Sequence, residues 1–228
     1  MFISKGEYMD PQVGQIMTLF VSLVICLTIH EAAHAWVAKL QGDTTAESMG
    51  RLTLNPLPHV DPVGTVFFPL LIAMTSGGMF GWAKPVPVDP RYFRSQRWGA
   101  FLVSGAGPAS NLILGFICIL ALRAYGLYFY DAIPRGHFFY PLIELIGTMA
   151  YINAILAVFN LIPLPPLDGG TVFSALLPRD LGEKYEQFIA PYGMWILLAM
   201  MFTGSLGFIH VLSKAYLNIA EKIAAIII

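Results

Sequence analysis

Apolar residues fall into five long runs along this chain, and polar residues gather in the short segments between them. The first run predicts a helix from about Val13 to Leu40, closing near Gln41-Gly42-Asp43, where a glycine follows the last apolar turn. Residues 99 to 122 predict a second helix, and the small residues Gly99 and Gly105-Ala106-Gly107-Pro108 near its start let a neighbour approach closely. Residues 141 to 162 predict a third span and Pro191 to Leu212 the last. A tail over 213–228 follows, made amphipathic by Lys214, Glu221 and Lys222 and suited to the membrane interface. The run over 63–80 differs from the others. Gly64, Pro69, Thr75, Ser76, Gly77 and Gly78 interrupt it, so a re-entrant segment or helical hairpin is expected there. The short runs 50–54 and 84–88 read as extended, with Pro85 and Pro87 making the second an edge strand or a polyproline segment at best. The expected fold is an all-α polytopic membrane protein with about 4–5 transmembrane helices, a re-entrant segment and short membrane-associated β-strands. No linker or repeat divides it, so one domain is expected over 1–228, with its core at about 14–212.

Composition sharpens the class. Hydrophobic residues make up 57% of the 228 and charged residues 12%, with a mean hydropathy of +0.67; this places the chain in a lipid bilayer. A net charge of -1 excludes a nucleic-acid partner of the usual basic kind. Cys26 and Cys118 lie in different apolar runs and predict no disulfide framework. Met1–Glu7 is not strongly basic and no small-residue cleavage site follows residues 16–29, so no removable signal peptide is expected.

The first run also carries charge and imidazole where lipid would exclude both. His30-Glu31-Ala32-Ala33-His34 places two histidines one turn apart on one helix face, where both can reach one metal ion. Glu31 projects about 100° round from His30 and can address a water at the metal rather than the metal itself. Each such group inside a span costs up to about 3 kcal/mol on insertion scales, so the cluster calls for a function. With a rise of 1.5 Å per residue, His34 would lie roughly 9 Å from the end of its helix, off-centre in the membrane.

A catalytic zinc ordinarily takes three protein ligands and leaves one position open. Asn160-Leu161-Ile162-Pro163-Leu164-Pro165-Pro166-Leu167-Asp168-Gly169-Gly170 supplies the candidate third ligand. Its prolines stop a helix near Ile162, and Gly169 and Gly170 permit a sharp turn, so Asp168 can point inward from irregular backbone. The bland alternative is an interfacial turn with a solvated Asp168. Asn153 and Asn160 lie two helical turns apart on one span, so their amides are candidate contacts for substrate backbone or a developing oxyanion. The competing role for Asn160 is a helix cap or an interhelical hydrogen bond. Cys26 is expected to act as a small hydrophobe, His59 and Asp61 as loop hydrogen bonders, and Arg91, Arg94 and Arg97 as contacts to anionic lipid.

Taken together, H-E-A-A-H at 30–34, G-A-G-P at 105–108 and N-L-I-P-L-P-P-L-D-G-G at 160–170 resemble the site-2 protease family of intramembrane zinc metalloproteases. The likeness runs from about residue 14 to 212, and Gly50–Pro56 with His59-Val60-Asp61-Pro62 resembles its compact branch without PDZ or CBS domains. The resemblance implies one Zn2+ held by His30, His34 and Asp168, Glu31 as catalytic acid/base, and a transmembrane protein or peptide as substrate. A metal transporter would also place His and Asp in the membrane but would not need Glu31. A non-catalytic scaffold would need no metal. Both alternatives stand at this point.

Sidedness follows from Lys and Arg. If 63–80 dips and returns, Lys39, Arg51, Lys84, Arg91, Arg94, Arg97, Arg179 and Lys184 share one side, eight of the thirteen basic residues. That bias predicts a multi-pass protein of the cell membrane with an extracytoplasmic N-terminus and the metal nearer the cytoplasm. Oligomeric state is not legible.

Overall fold

The computed structural model describes residues 11–76 and 81–228, and among these the regular elements are all helices joined by loops. The first helix, α1 (Pro11–Gln41), ends where expected and for a visible reason. Gly42 adopts a φ of 107°, its N–H bonds Lys39 O at 3.0 Å, and the Asp43 N–H bonds Ala38 O at 3.0 Å, the paired closure of a left-handed helix cap. Along α1, Leu23, Cys26, Leu27, His30, His34 and Ala38 are buried at helical spacing and form a single inward stripe.

After the short α2 (Thr45–Ser48), a π-helical turn over Pro62–Phe67 leads into α3 (Phe68–Ser76). Asp61 caps this turn by accepting from the N–H groups of Val63 and Gly64. The chain then comes back to its own start: Trp82 N–H bonds Gly64 O at 3.0 Å, and Thr65 Oγ1 donates to Trp82 O at 2.7 Å. The two ends of the 63–80 stretch are therefore tied together, as in a hairpin. Glycines 77 and 78 lie outside the described residues.

The helix α4 (Gln96–Ala124) runs on through a π-helical turn at Tyr125–Phe129. It packs against α1 and against α5 (Tyr140–Asn160), and these three helices are each long and apolar enough to cross a membrane. The small helix α6 (Asp168–Leu176) sits on α4, and α7 (Arg179–Phe202) follows it. The last helix, α8 (Gly207–Ile227), packs on α4 and α5 through Ala220 and Ala224, which join Cys118, Ile119 and Ala150 in one cluster.

Three expectations need correction. The expected 4–5 transmembrane helices reduce to three, or four if α7 and α8 count as one span, because that pair is bent by 84°. The bend falls at residues 203–206, where Gly204 has a φ of 70°, so the single span expected at Pro191–Leu212 is broken and the amphipathic tail belongs to a packed helix. Among the described residues there is no β-strand at 50–54 or 84–88. Pro85 and Pro87 remove every second donor from the latter segment. Its remaining groups are tied singly, Lys84 N–H to His59 O and the Lys84 carbonyl to Arg51 Nη2, so no ladder forms.

Candidate metal centre

His30 and His34 project from one face of α1 and are 4% and 7% exposed. Their Nε2 atoms approach to 3.0 Å, and Asp168 Oδ2 lies 3.2 Å from the first and 3.4 Å from the second. Two segments separated by more than a hundred residues thus bring three ligand atoms within 4.8 Å of one another. Asp168 is the first residue of α6 rather than part of an irregular turn, so its carboxylate also sits at the positive end of a helix. Gly169 and Gly170 act by close approach: a Cβ on Gly169 would strike the backbone of Leu161 and Ile162, and one on Gly170 would lie 2.6 Å from Pro165 N. Only bare backbone lets α6 press that closely on the proline segment that delivers Asp168.

The outer nitrogens of both imidazoles are engaged. His34 Nδ1–H donates to Val103 O at 2.7 Å, and His30 Nδ1–H donates to Asn111 Oδ1 at 2.6 Å. With Nδ1 as the donor, the neutral form of each ring turns an Nε2 lone pair toward Asp168. Asp168 Oδ2 is itself buried and accepts no hydrogen bond. Three electron-rich atoms facing one another repel unless a cation lies among them. Ligand distances of about 2.0–2.2 Å to a tetrahedral zinc imply ligand–ligand separations of roughly 3.3 Å, which these atoms match. The donor set of two imidazoles and one carboxylate suits zinc.

The neighbouring helix is shaped around this cluster. A Cβ on Gly107 of α4 would collide with the Nε2 atoms of both histidines, so the small stretch at 105–108 gives the rings their room. Glu31 stands beside the cluster, half-buried, and its Oε2 accepts from the Val86 N–H at 2.8 Å. The segment over 82–89 is thereby tied to the carboxylate next to the ligands.

The two asparagines marked in the sequence lie in different settings. Asn160, at the end of α5, is half-buried and donates to Leu156 O at 3.0 Å. Asn153 is fully buried and its amide is spent: Nδ2 donates to Met149 O at 2.8 Å and to Cys26 Sγ at 3.1 Å, and Oδ1 accepts from Asn111 Nδ2 at 2.7 Å. These bonds join α5 to α1 and α4 through the Asn153 amide. The residue that sequence reasoning missed is Asn111. Its one signal was an amide in the apolar run 99–122, with nothing to show what it met.

His59 and Asp61 are loop hydrogen bonders, as expected. His59 is buried and its Nε2 bonds Thr53 O at 3.0 Å. Arg97 does not simply face lipid headgroups. Its Nε donates to Ala175 O at 2.8 Å and its Nη2 to Leu177 O, which caps the far end of α6.

Two imidazoles and a carboxylate buried together, with an acid beside them and membrane-length helices around them, make the donor set that a membrane-embedded metal-dependent hydrolase needs. Residues 18–202 match the family model described as peptidase family M50. The chain belongs to that family, the site-2 proteases, and is a zinc-dependent metalloendopeptidase. It is 39% identical over 201 residues to the Bacillus subtilis protein YwhC, which bears the name of a zinc metalloprotease; the match covers 82% of this chain and 86% of YwhC. Rip2 of Mycolicibacterium smegmatis, named likewise, is 31% identical over 198 residues, covering 85% of this chain and 70% of Rip2. Zinc metalloprotease MJ0392 of Methanocaldococcus jannaschii is 26% identical over 189 residues, 82% of this chain and 43% of that longer protein. No solved structure matches at a significant level.

Proposed function

We propose that this protease cuts peptide bonds in or beside the transmembrane segments of membrane-protein substrates, with His30, His34 and Asp168 holding the zinc and Glu31 moving the proton. The observation that carries this reading is the convergence of the two Nε2 atoms and Asp168 Oδ2 within a bundle whose long helices are apolar over membrane length. Zinc at such a site supplies a Lewis acid that polarises the scissile carbonyl and acidifies water. Glu31 takes one proton as water attacks the carbonyl carbon and delivers it to the leaving amine as the C–N bond breaks. Its hydrogen bond from Val86 N–H holds the carboxylate in place for this transfer. Asn160, at the mouth of the loop that leads to Asp168, is proposed to hold substrate backbone.

A peptide bond inside a helix is shielded, so substrate must be drawn out locally before it is cut. The segments at 50–54 and 85–88 are proposed to receive the unwound stretch alongside themselves. Support comes from the Val86–Glu31 contact, which places anything lying along 85–88 next to the catalytic carboxylate.

The site is proposed to lie nearer the cytoplasm. The loops at 42–61 and 82–95 are bonded together, Asp89 N–H to Asp43 Oδ2 at 2.7 Å and Arg94 N–H to Gln41 O at 2.9 Å. Such ties support one shared side for Arg51, Lys84, Arg91 and Arg94, as the positive-inside reading requires.

The test is zinc content and cleavage of a model transmembrane peptide by wild type, Glu31→Gln and Asp168→Ala. Glu31→Gln is expected to keep zinc and lose cleavage by at least about 100-fold, the scale of general acid–base catalysis. Asp168→Ala is expected to lose zinc. Cleavage that survives Glu31→Gln would contradict the assignment.

A further inference from the structure

We infer that Asn111 is a positioning residue that fixes which nitrogen of His30 carries the proton, and that Asn153 fixes Asn111 in turn; this rests on His30 being a zinc ligand. The polarity of one group in this chain of bonds cannot change. The Met149 carbonyl can only accept, so Asn153 must turn its NH2 toward it, at 2.8 Å. That leaves Asn153 Oδ1 facing Asn111, whose NH2 must then donate across 2.7 Å. A second contact of the same sense runs from Asn111 Nδ2 to Cys26 O at 3.4 Å.

With its NH2 committed, Asn111 presents Oδ1 to His30 Nδ1 at 2.6 Å, and the ring must donate from Nδ1. The neutral ring, which is the form that can ligate a metal, therefore keeps its single proton on Nδ1 and leaves Nε2, the atom 3.2 Å from Asp168 Oδ2, as the bare nitrogen. Four helix-borne groups thus relay one polarity from a backbone carbonyl of α5 to a lone pair aimed at the metal position. Both asparagines have 0% exposure, so no water competes for these bonds, and an amide turned the wrong way would leave buried groups unpaired. His34 reaches the same state by a shorter route, because its Nδ1–H meets the Val103 carbonyl directly.

The two rings therefore respond differently to one substitution. Full-length protein with 15N-labelled histidine, stripped of metal, reports ring protonation by its nitrogen chemical shifts, with His30 assigned through His30→Gln. Wild type is expected to show Nδ1–H at both histidines. Asn111→Leu is expected to lose that form at His30 and keep it at His34, which also reports an intact fold. Zinc affinity, read by competition with a chromophoric chelator, is expected to fall about 10–100-fold in Asn111→Leu. It should fall less in Asn153→Leu, where the Asn111 amide is free to flip.

Asn111→Asp, which keeps an acceptor on His30, is expected to retain the Nδ1–H form and recover most of the affinity. If Asn111→Leu does not fold, the Asn153→Leu and Asn111→Asp results decide. Unchanged zinc affinity, or His30 still holding Nδ1–H in Asn111→Leu, overturns the inference. Wild type that binds no zinc would instead overturn the metal reading, and the comparison of the two rings without metal would still judge the relay.

Discussion

His30 and His34 share one face of α1, and that face stays usable because a glycine lies opposite them and a hydrogen-bond acceptor stands behind each ring. Gly107 gives the sharpest prediction at this scale. Gly107→Ala puts a methyl group where the ring nitrogens already lie, so the rings or α4 must shift. Zinc affinity is expected to drop at least about tenfold, and overpacking should cost about 1–3 kcal/mol of stability, read by chelator competition and thermal melting. Wild-type zinc binding in Gly107→Ala would show that α4 does not press on the site as described. The pairing of His30 with His34 was legible because a helix has a fixed period, and Asp168 was singled out by the prolines and glycines around it. Asn111 and Asn153 were visible as polar residues in apolar runs, but their pairing depends on how α4 and α5 face each other, which no local pattern encodes.

Helix α6 carries Asp168 and has only nine residues, too few for a stable helix in isolation. It is held at one end by the glycine contacts and at the other by Arg97, whose guanidinium reaches the carbonyls of Ala175 and Leu177. Arg97→Ala is expected to loosen α6 by about 1 kcal/mol, the worth of a hydrogen bond, and to weaken zinc binding severalfold through Asp168. Arg97→Ala with unaltered zinc affinity would leave Arg97 a surface residue, as its sequence neighbourhood of Arg91 and Arg94 implied. The ends of α1 and α5 were readable to within a residue or two from apolar runs and a glycine. The α7–α8 break was not, because residues 203–206 interrupt a continuous apolar run with a turn whose bend depends on packing against α4 and α5. At 84–88 an edge strand or a polyproline segment was expected, and with donors missing at Pro85 and Pro87 no strand forms there.

For the whole molecule, hydrogen bonds tie the loops at 42–61 and 82–95, the start of the 63–80 stretch and the Glu31 carboxylate together beside the His30–His34–Asp168 cluster. Apolar composition made the membrane setting legible, whereas the substrate left no trace in the chain. The account commits to where the cut falls. The most direct measurement is mass-spectrometric mapping of the products when the purified, zinc-loaded protein acts on a single-span substrate reconstituted in vesicles. The account predicts cuts within the cytoplasmic half of the substrate's apolar segment, absent with Glu31→Gln. Cuts confined to the water-exposed flanks, or the same cuts produced by Glu31→Gln, would contradict it.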